Sequence, residues 1–152
     1  MRIAIDVKAL EWQTGTFLCQ DKIALEELWN NEDMHTKNQQ AFKLPSRLIA
    51  KKFLFRLIYG GSAYAYAHDP EFKDASTSVK FWQSAIDAFY NKYQGWAAWH
   101  TKIVQTVIRT KQLVMPTGRI YTYQQYKNER TGEMDWPKTQ ILNFPVNFSG
   151  LI

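Results

Sequence analysis

Five residues at fixed spacing form the pattern in this sequence that is best suited to chemistry. The first four residues are spaced four positions apart and are Arg47, Lys51, Phe55 and Tyr59. The fifth, Gly60, follows Tyr59 directly. On a helix with about 3.6 residues per turn, these four side chains form one ridge that drifts slowly around the helix. Two cations one turn apart suit a polyphosphate, and a flat ring one turn further on suits a base or a sugar. The ridge therefore predicts a nucleotide-binding helix.

The same segment also fits a simpler interpretation, an ordinary amphipathic helix of an unrelated domain. Lys and Arg favour helices, and a row of charged residues is usually a solvated face. The buried side of such a helix would be apolar and would consist of Leu48, Ile49, Leu54, Leu57 and Ile58. The segment alone leaves both interpretations open.

The ridge resembles the fingers helix, motif B, of family-A DNA polymerases, whose pattern is R-x3-K-x3-F/Y-x3-Y-G. The resemblance implies that Arg47 and Lys51 hold the triphosphate of a dNTP and stabilise charge as pyrophosphate leaves. It implies that Phe55 stacks by the sugar, where phenylalanine in place of tyrosine implies discrimination against dideoxynucleotides. Tyr59 would contact both the dNTP and the primer-template DNA, and Gly60 would contact the DNA. All five fixed positions of the pattern are met in this chain.

A segment near the N-terminus resembles motif A of the same family, D-x-S-x-x-E-x-R. Within Ile5–Gln13, Asp6 and Glu11 occupy its two most informative positions. The resemblance implies that Asp6 and the backbone carbonyl of Val7 bind two catalytic Mg²⁺ ions. It implies that Glu11 contacts the dNTP as a steric gate against the ribose 2′-hydroxyl. Taken alone, Asp6 fits a strand-end or helix-capping aspartate equally well.

Two further segments extend the resemblance, the first of them to phage-type members. Glu32–Phe42 resembles a D-I-H-T-K-N-Q stretch, which implies that His35 contacts the phosphates of the dNTP. A lone histidine is more often a surface or core residue, and only the flanking match favours a site. Thr139–Gly150 resembles the R-x3-N-x-P-x-Q-G-T-x-A region, which implies that Asn143 and Asn147 contact DNA.

Five positions depart from the family patterns. They are Lys8 for serine and Gln13 for arginine in motif A, and Thr139 for arginine, Asn147 for glutamine and Phe148 for glycine near the C-terminus. Neither motif A position binds metal in the family. The last three lie in the region expected to hold the DNA, so we expect them to alter how the duplex is held.

The resemblance implies template-directed DNA synthesis by two metal ions, but one part of that site is missing. Motif C, the His-Asp-Glu turn with the second metal-binding aspartate, is expected beyond Ile152, and the thumb before Met1. We therefore expect the isolated chain to be inactive. Three interpretations stay open: a truncated stretch of a polymerase, one subunit of a split polymerase whose second chain supplies motif C and the thumb, or an inactive DNA-binding remnant. A companion reading frame with a His-Asp-Glu motif would favour the second over the third.

The composition is that of one globular domain. The chain has 152 residues, a formal net charge of +5 and 15% aromatic residues, which weakly favours a polyanionic partner. Cys19 is the only cysteine, so an intramolecular disulfide is excluded, and the three histidines lack zinc spacing. No apolar run approaches the roughly 20 residues that a membrane span needs, and no signal peptide is evident. We expect a cytoplasmic protein, in the host cytoplasm if it is viral.

The predicted fold class is α+β and mostly helical, with a fingers subdomain and part of a palm. We assign residues 1–30 to the palm around motif A, 31–110 to the fingers and 111–152 to the return to the palm. The expected helical segments are the far end of Leu10–Trp29, then Met34–Phe42, a helix capped by Ser46, Ser62–Ala67, and two long helices separated at Gln94-Gly95. The first long helix would be capped by Ser76 or Ser78.

The remaining segments are predicted to be strands and loops. They are a strand at Met1–Asp6, a polar loop at His68–Asp74, a hairpin of Leu113–Met115 with Arg119–Tyr123, a loop at Arg130–Pro137, and an apolar, irregular segment at Gln140–Val146. Pro-Thr-Gly between the two hairpin strands supplies the turn.

Overall fold

The computed structural model describes residues 9–144, so the predicted strand Met1–Asp6 lies outside the described residues. The helices are α1 (Leu10–Cys19), α2 (Lys22–Trp29), α3 (Met34–Ala41), α4 (Arg47–Ile58), α5 (Ala63–Ala67), α6 (Val79–Lys92), α7 (Gln94–Thr110) and α8 (Lys138–Leu142), with a short 3₁₀ helix at Pro70–Phe72. Within the described residues, no helix is long and apolar enough to cross a membrane. The predicted α+β, mostly helical class is confirmed.

The first hairpin lies where its turn residues predict it. Strand β1 (Gln112–Val114) pairs antiparallel with β2 (Ile120–Thr122), and Leu113 lies opposite Tyr121. Gly118 has a φ of +86°, a left-handed conformation that glycine adopts without steric cost. The Pro-Thr-Gly turn therefore sets the register of this hairpin.

A second hairpin interrupts the loop predicted at Arg130–Pro137, so that prediction was wrong at Met134 and Asp135 and holds for the other residues of the segment. Strand β3 (Tyr126–Lys127) pairs with β4 (Met134–Asp135) in a separate two-stranded sheet. The turn is stabilised locally, because the backbone N–H of Gly132 donates to the carbonyl of Asn128 at 2.7 Å. Strands of two residues carry no periodicity that a sequence pattern can detect.

Helix α4 begins and ends where the sequence predicts. The Ser46 hydroxyl accepts from the backbone N–H of Ile49 at 3.2 Å, and Gly60 follows the helix with a φ of +82°. The buried face of α4 is formed by Ala50, Phe53, Leu54, Leu57 and Ile58. Leu48 is 60% exposed, so the simple amphipathic pattern misplaced it. Helix α4 thus packs an apolar face against the core and leaves the two cations of the ridge, Arg47 and Lys51, exposed.

Aromatic side chains form the core beneath α4. The ring of Phe53 lies 5.1 Å from that of Tyr66, which in turn stacks on Trp82 at 5.0 Å. The Tyr66 hydroxyl donates to the carbonyl of Phe53 at 2.8 Å, and the Trp82 ring N–H donates to the carbonyl of Ser76 at 2.9 Å. Because the polar atoms of these rings are hydrogen-bonded, the bonds offset the cost of removing those atoms from water when the rings are buried.

Several predicted segment boundaries shift in the structure. The Leu10–Trp29 segment forms two helices rather than one region that is helical at its far end. The Gln140–Val146 segment begins inside α8, so its start is not irregular, and its residues 145 and 146 lie outside the described residues. His68–Asp74 contains a 3₁₀ turn whose Phe72 is buried, so it is not purely a polar loop. Ser78 rather than Ser76 caps α6, since its hydroxyl accepts from the backbone N–H of Phe81.

The predicted break between two long helices is confirmed, but it lies at Tyr93 and not at Gln94-Gly95, because these two residues begin α7. The carboxylate of Asp21 explains why: one oxygen caps α2 by accepting from the N–H of Ala24 at 2.9 Å. The other oxygen accepts from the backbone N–H groups of Gly95 at 2.7 Å and Trp96 at 3.3 Å. A Cβ on residue 95 would lie 2.6 Å from the Cα of Asp21, so this close approach requires glycine.

Helix α1 is attached to α7 by stacked tryptophans. The rings of Trp12 and Trp96 lie 5.1 Å apart and are within 9° of parallel. A Cβ on residue 15 would lie 2.1 Å from a ring carbon of Trp96, so Gly15 makes room for the stack. The orientation of α1 therefore depends on where Asp21 places the start of α7.

We predict that Asp21→Asn lowers the free energy of unfolding by about 2–4 kcal/mol, because a neutral amide offers one acceptor where the carboxylate caps two helices. Urea unfolding followed by circular dichroism measures this change. Asp74→Asn is the matched control at an exposed carboxylate and should leave stability within about 0.5 kcal/mol. Equal stability of the two variants would contradict the capping account.

We predict that His100 makes the fold sensitive to acid. Burial lowers the pKa of His100 to about 4, and its Nδ1 lies 3.0 Å from the Tyr90 hydroxyl. The unfolded chain binds a proton at His100 near pH 6.5, whereas the folded chain binds it only near pH 4. The free energy of unfolding is therefore unaffected by this residue above the window from pH 6.5 to 4. It should fall by up to about 3 kcal/mol as the pH drops through it.

Urea unfolding at a series of pH values from 7.5 to 4 tests this prediction. A His100→Phe variant lacks the titrating ring and should lose less stability across the same range. The comparison uses the pH slope, because the substitution also removes a contact to Tyr90 and changes absolute stability. Identical slopes for the two proteins would show that His100 does not cause the effect.

Candidate nucleotide site

A pocket with a volume of about 320 Å³ opens between α1, the segment joining α2 to α3, and α4. Four of the residues predicted from the sequence line it together: His35, Arg47, Lys51 and Phe55. His35 reaches the pocket from α3 and the other three from one face of α4. The structure thus assembles the predicted phosphate-contacting residues from two separate helices.

The ridge on α4 passes from exposed cations at its start to a half-buried aromatic ring two turns later. The side chains of Arg47 and Lys51 are exposed, whereas Phe55 is half-buried. The ring of His35 is buried, and its centroid lies 6.4 Å from that of Phe55. Arg47 is the first residue of α4, where the free N–H groups and the helix dipole favour an anion. The pocket therefore offers positive charge at one end and an aromatic ring at the other.

Arg47 has a carboxylate partner that the sequence did not predict. Its Nε donates to Asp33 Oδ2 at 2.8 Å, and its Nη2 donates to Asp33 Oδ1 at 3.1 Å. Asp33 also lines the pocket. The hydrogen bond from Arg47 holds the pKa of Asp33 well below its usual range. No local signal in the sequence indicates this pair, because Arg47 lies 14 residues further along the chain.

Glu11 influences the pKa of Tyr59, but neither residue lines the pocket. Burial raises the pKa of Tyr59 to about 12, and the negative charge of Glu11 adds to the rise. Tyr59 follows α4 and Glu11 lies in the first turn of α1, so two elements bring them together. The predicted sugar gate and the predicted DNA-contacting tyrosine therefore interact electrostatically.

Gly60 is packed against α8. A Cβ on residue 60 would lie 2.8 Å from a side-chain carbon of Leu142 and 3.8 Å from the Cα of Thr139. Asn143 follows α8, and its backbone N–H donates to the carbonyl of Thr139 at 3.0 Å. The C-terminal end of α4 therefore packs against the helix that directly precedes Asn143.

Asp6, Val7 and Asn147 lie outside the described residues, so their predicted roles stay predictions. Within residues 9–144, no group of three or more His, Cys, Asp or Glu side chains could hold a metal ion. The predicted Mg²⁺ ions thus depend on residues that the structure does not describe.

A buried polar network that sequence reasoning missed lies behind the pocket. Glu27, which lines the pocket, pairs with Lys92 Nζ at 2.7 Å and accepts from the Tyr93 hydroxyl at 2.7 Å. Asn38 Oδ1 accepts from Lys92 at 2.8 Å and lies 2.8 Å from the Tyr93 oxygen. Burial and the Glu27 carboxylate raise the pKa of Tyr93. The network joins α2, α3 and α6, and so fixes two walls of the pocket.

No protein-family model matches the chain, and no curated protein matches it. Among solved structures, it is similar to the POL domain of Pol1 from M. smegmatis in complex with DNA primer-template and dNTP. The TM-score is 0.77 and the sequence identity 21%, over 95% of this chain and 26% of that chain. The chain therefore spans about a quarter of the length of that protein. At this identity the similarity shows a shared fold.

We predict that Lys92→Met lowers the free energy of unfolding by about 2–4 kcal/mol, because it leaves Glu27 buried without a counter-ion. Urea unfolding measures the change, and adding Glu27→Gln to the same protein should recover most of it. Lys80→Met, at an exposed lysine of the same helix, is the control. Failure of the second substitution to restore stability would show that lost packing, not the unpaired charge, causes the effect.

Proposed function

We propose that this chain is the nucleotide-binding part of a family-A DNA polymerase and acts in template-directed DNA synthesis. The observation that carries the proposal is the convergence of His35, Arg47, Lys51 and Phe55 on one pocket. The motif on α4 could match by chance, but chance would not also bring a histidine from another helix to the same cavity. The shared fold with a POL domain solved with primer-template and dNTP supports the same interpretation.

The positive end of the pocket is suited to a triphosphate. Arg47 and Lys51 lie one turn apart at the start of α4 and present guanidinium and ammonium donors. In the proposed reaction they orient the phosphates and stabilise the charge that develops as pyrophosphate leaves. His35 would add a third contact to the phosphates from α3.

The aromatic end of the pocket is suited to the sugar and base. Phe55 is half-buried and presents a flat ring without a hydroxyl group. We assign it the stacking role beside the sugar, with discrimination against dideoxynucleotides. Glu11 would exclude a ribose 2′-hydroxyl, and Tyr59, Gly60 and Asn143 would contact the primer-template DNA.

The proposed reaction also requires two metal ions and a second carboxylate. Two Mg²⁺ ions, when bound, would stabilise the attacking and leaving oxygens of nucleotidyl transfer, with Asp6 and Val7 as their ligands in this chain. The second carboxylate of such a site would come from motif C, on a continuation of the chain or on a second chain. Since the triphosphate contacts all lie within residues 9–144, nucleotide binding can be tested in this chain without the metal ligand of motif C.

We predict that Lys51→Ala weakens dATP binding by at least about tenfold, which is about 1.4 kcal/mol, because it removes a charge-assisted contact to phosphate. Isothermal titration calorimetry gives the dissociation constant. Lys52→Ala is the matched control, because this substitution removes the same charge from the same helix. Lys52 pairs with Glu71 at 3.5 Å and does not line the pocket.

The control separates a specific site from general charge attraction. Equal losses in the two variants would show that dATP binds through net charge alone. A chain that binds primer-template DNA but no dATP would contradict the proposed nucleotide site and support the inactive DNA-binding remnant.

A further inference from the structure

The pairing of Arg47 with Asp33 uses only one edge of the guanidinium group. Asp33 accepts from Nε and Nη2, whereas Nη1 of Arg47 has no partner within residues 9–144. A guanidinium has five N–H donors in a rigid planar fork, so a second edge remains available to an anion. Both side chains line the pocket, and the Arg47 side chain is 53% exposed.

Asp33 is itself held in place by the start of α3. Its carboxylate accepts from the backbone N–H groups of His35 at 3.2 Å and Thr36 at 3.4 Å. The hydroxyl of Thr36 also donates to Asp33 Oδ2 at 2.9 Å. The carboxylate is therefore a fixed point at the start of α3, two residues before His35, and the flexible side chain of Arg47 is tied to it.

We propose that Asp33 is a positioning residue that holds the guanidinium of Arg47 with its free edge toward the triphosphate. The inference rests on the proposed function and names the side chain that orients one of its phosphate contacts. An arginine side chain has many rotamers, and fixing it before the ligand arrives lowers the entropic cost of binding. The same carboxylate links the two helices that carry His35 and Arg47.

The opposite effect, in which Asp33 competes with the phosphates for Arg47, is disfavoured by the geometry. A competitor would occupy the donors that the ligand needs, but Asp33 leaves Nη1 free. Its negative charge is also stabilised by the N-terminus of α3, which reduces its repulsion of a phosphate. The hydrogen bond from Arg47 lowers the pKa of Asp33, so the carboxylate stays ionised at neutral pH.

A double-mutant cycle tests the proposal. Asn caps a helix about as well as Asp, so Asp33→Asn keeps the start of α3 while removing the paired charge. Calorimetry with dATP and with inorganic tripolyphosphate gives dissociation constants for the unchanged chain, Asp33→Asn, Arg47→Ala and the double variant. We expect Asp33→Asn to weaken binding about fivefold alone and to have no further effect when Arg47 is absent.

Three results would overturn the proposal: tighter binding by Asp33→Asn, unchanged binding, or an equal loss in the Arg47→Ala background. The last result would mean that Asp33 acts through the fold of α3 and not through Arg47. If Asp33→Asn fails to fold, Asp33→Ser provides a second capped variant without the carboxylate. By contrast, failure of the unchanged chain to bind either ligand would refute the proposed function itself, and this inference with it.

Discussion

The carboxylate of Asp21 caps two helix N-termini that lie about half the chain apart, and the walls of the pocket depend on it. One oxygen fixes the start of α2 and the other fixes the start of α7. Helix α7 then carries Trp96, on which Trp12 of α1 stacks. Since α1 and the end of α2 line the pocket, one buried acceptor sets the relative position of two of its sides. The contact also requires glycine at position 95.

The charges of the pocket are arranged so that its carboxylates are neutralised while one cation stays available. Three carboxylates line the pocket, and each has a cationic partner: Glu27 with Lys92, Glu32 with Lys37 and Asp33 with Arg47. Lys51 has no ion-pair partner within the described part of the chain. Because paired carboxylates repel an anion less than free ones, the acidic lining opposes the proposed binding of a triphosphate less than three unpaired carboxylates would. This balance could not be inferred from the net charge.

Local signals in the sequence predicted the parts of the fold that local contacts determine. Ser46 and Gly60 mark the two ends of α4 as expected, and the Pro-Thr-Gly turn joins the strands of the first hairpin. Both were predictable because caps and turns are formed by residues that are neighbours in the sequence. The start of α7 was misjudged because glycine usually ends helices, and the Asp21 carboxylate that makes Gly95 a helix start is 74 residues away. Asp33 was missed for the same reason. The sequence thus predicted four of the side chains that line the pocket, but not the side chains that hold them in place.

The most direct test of the account is a crystal structure of this chain grown with dATP. We expect the triphosphate to lie against Lys51 and the free edge of Arg47, with Asp33 still paired to Arg47 and the nucleoside beside Phe55. Nucleotide bound elsewhere on the chain, with this pocket empty, would contradict the assignment of the α4 ridge as the nucleotide site.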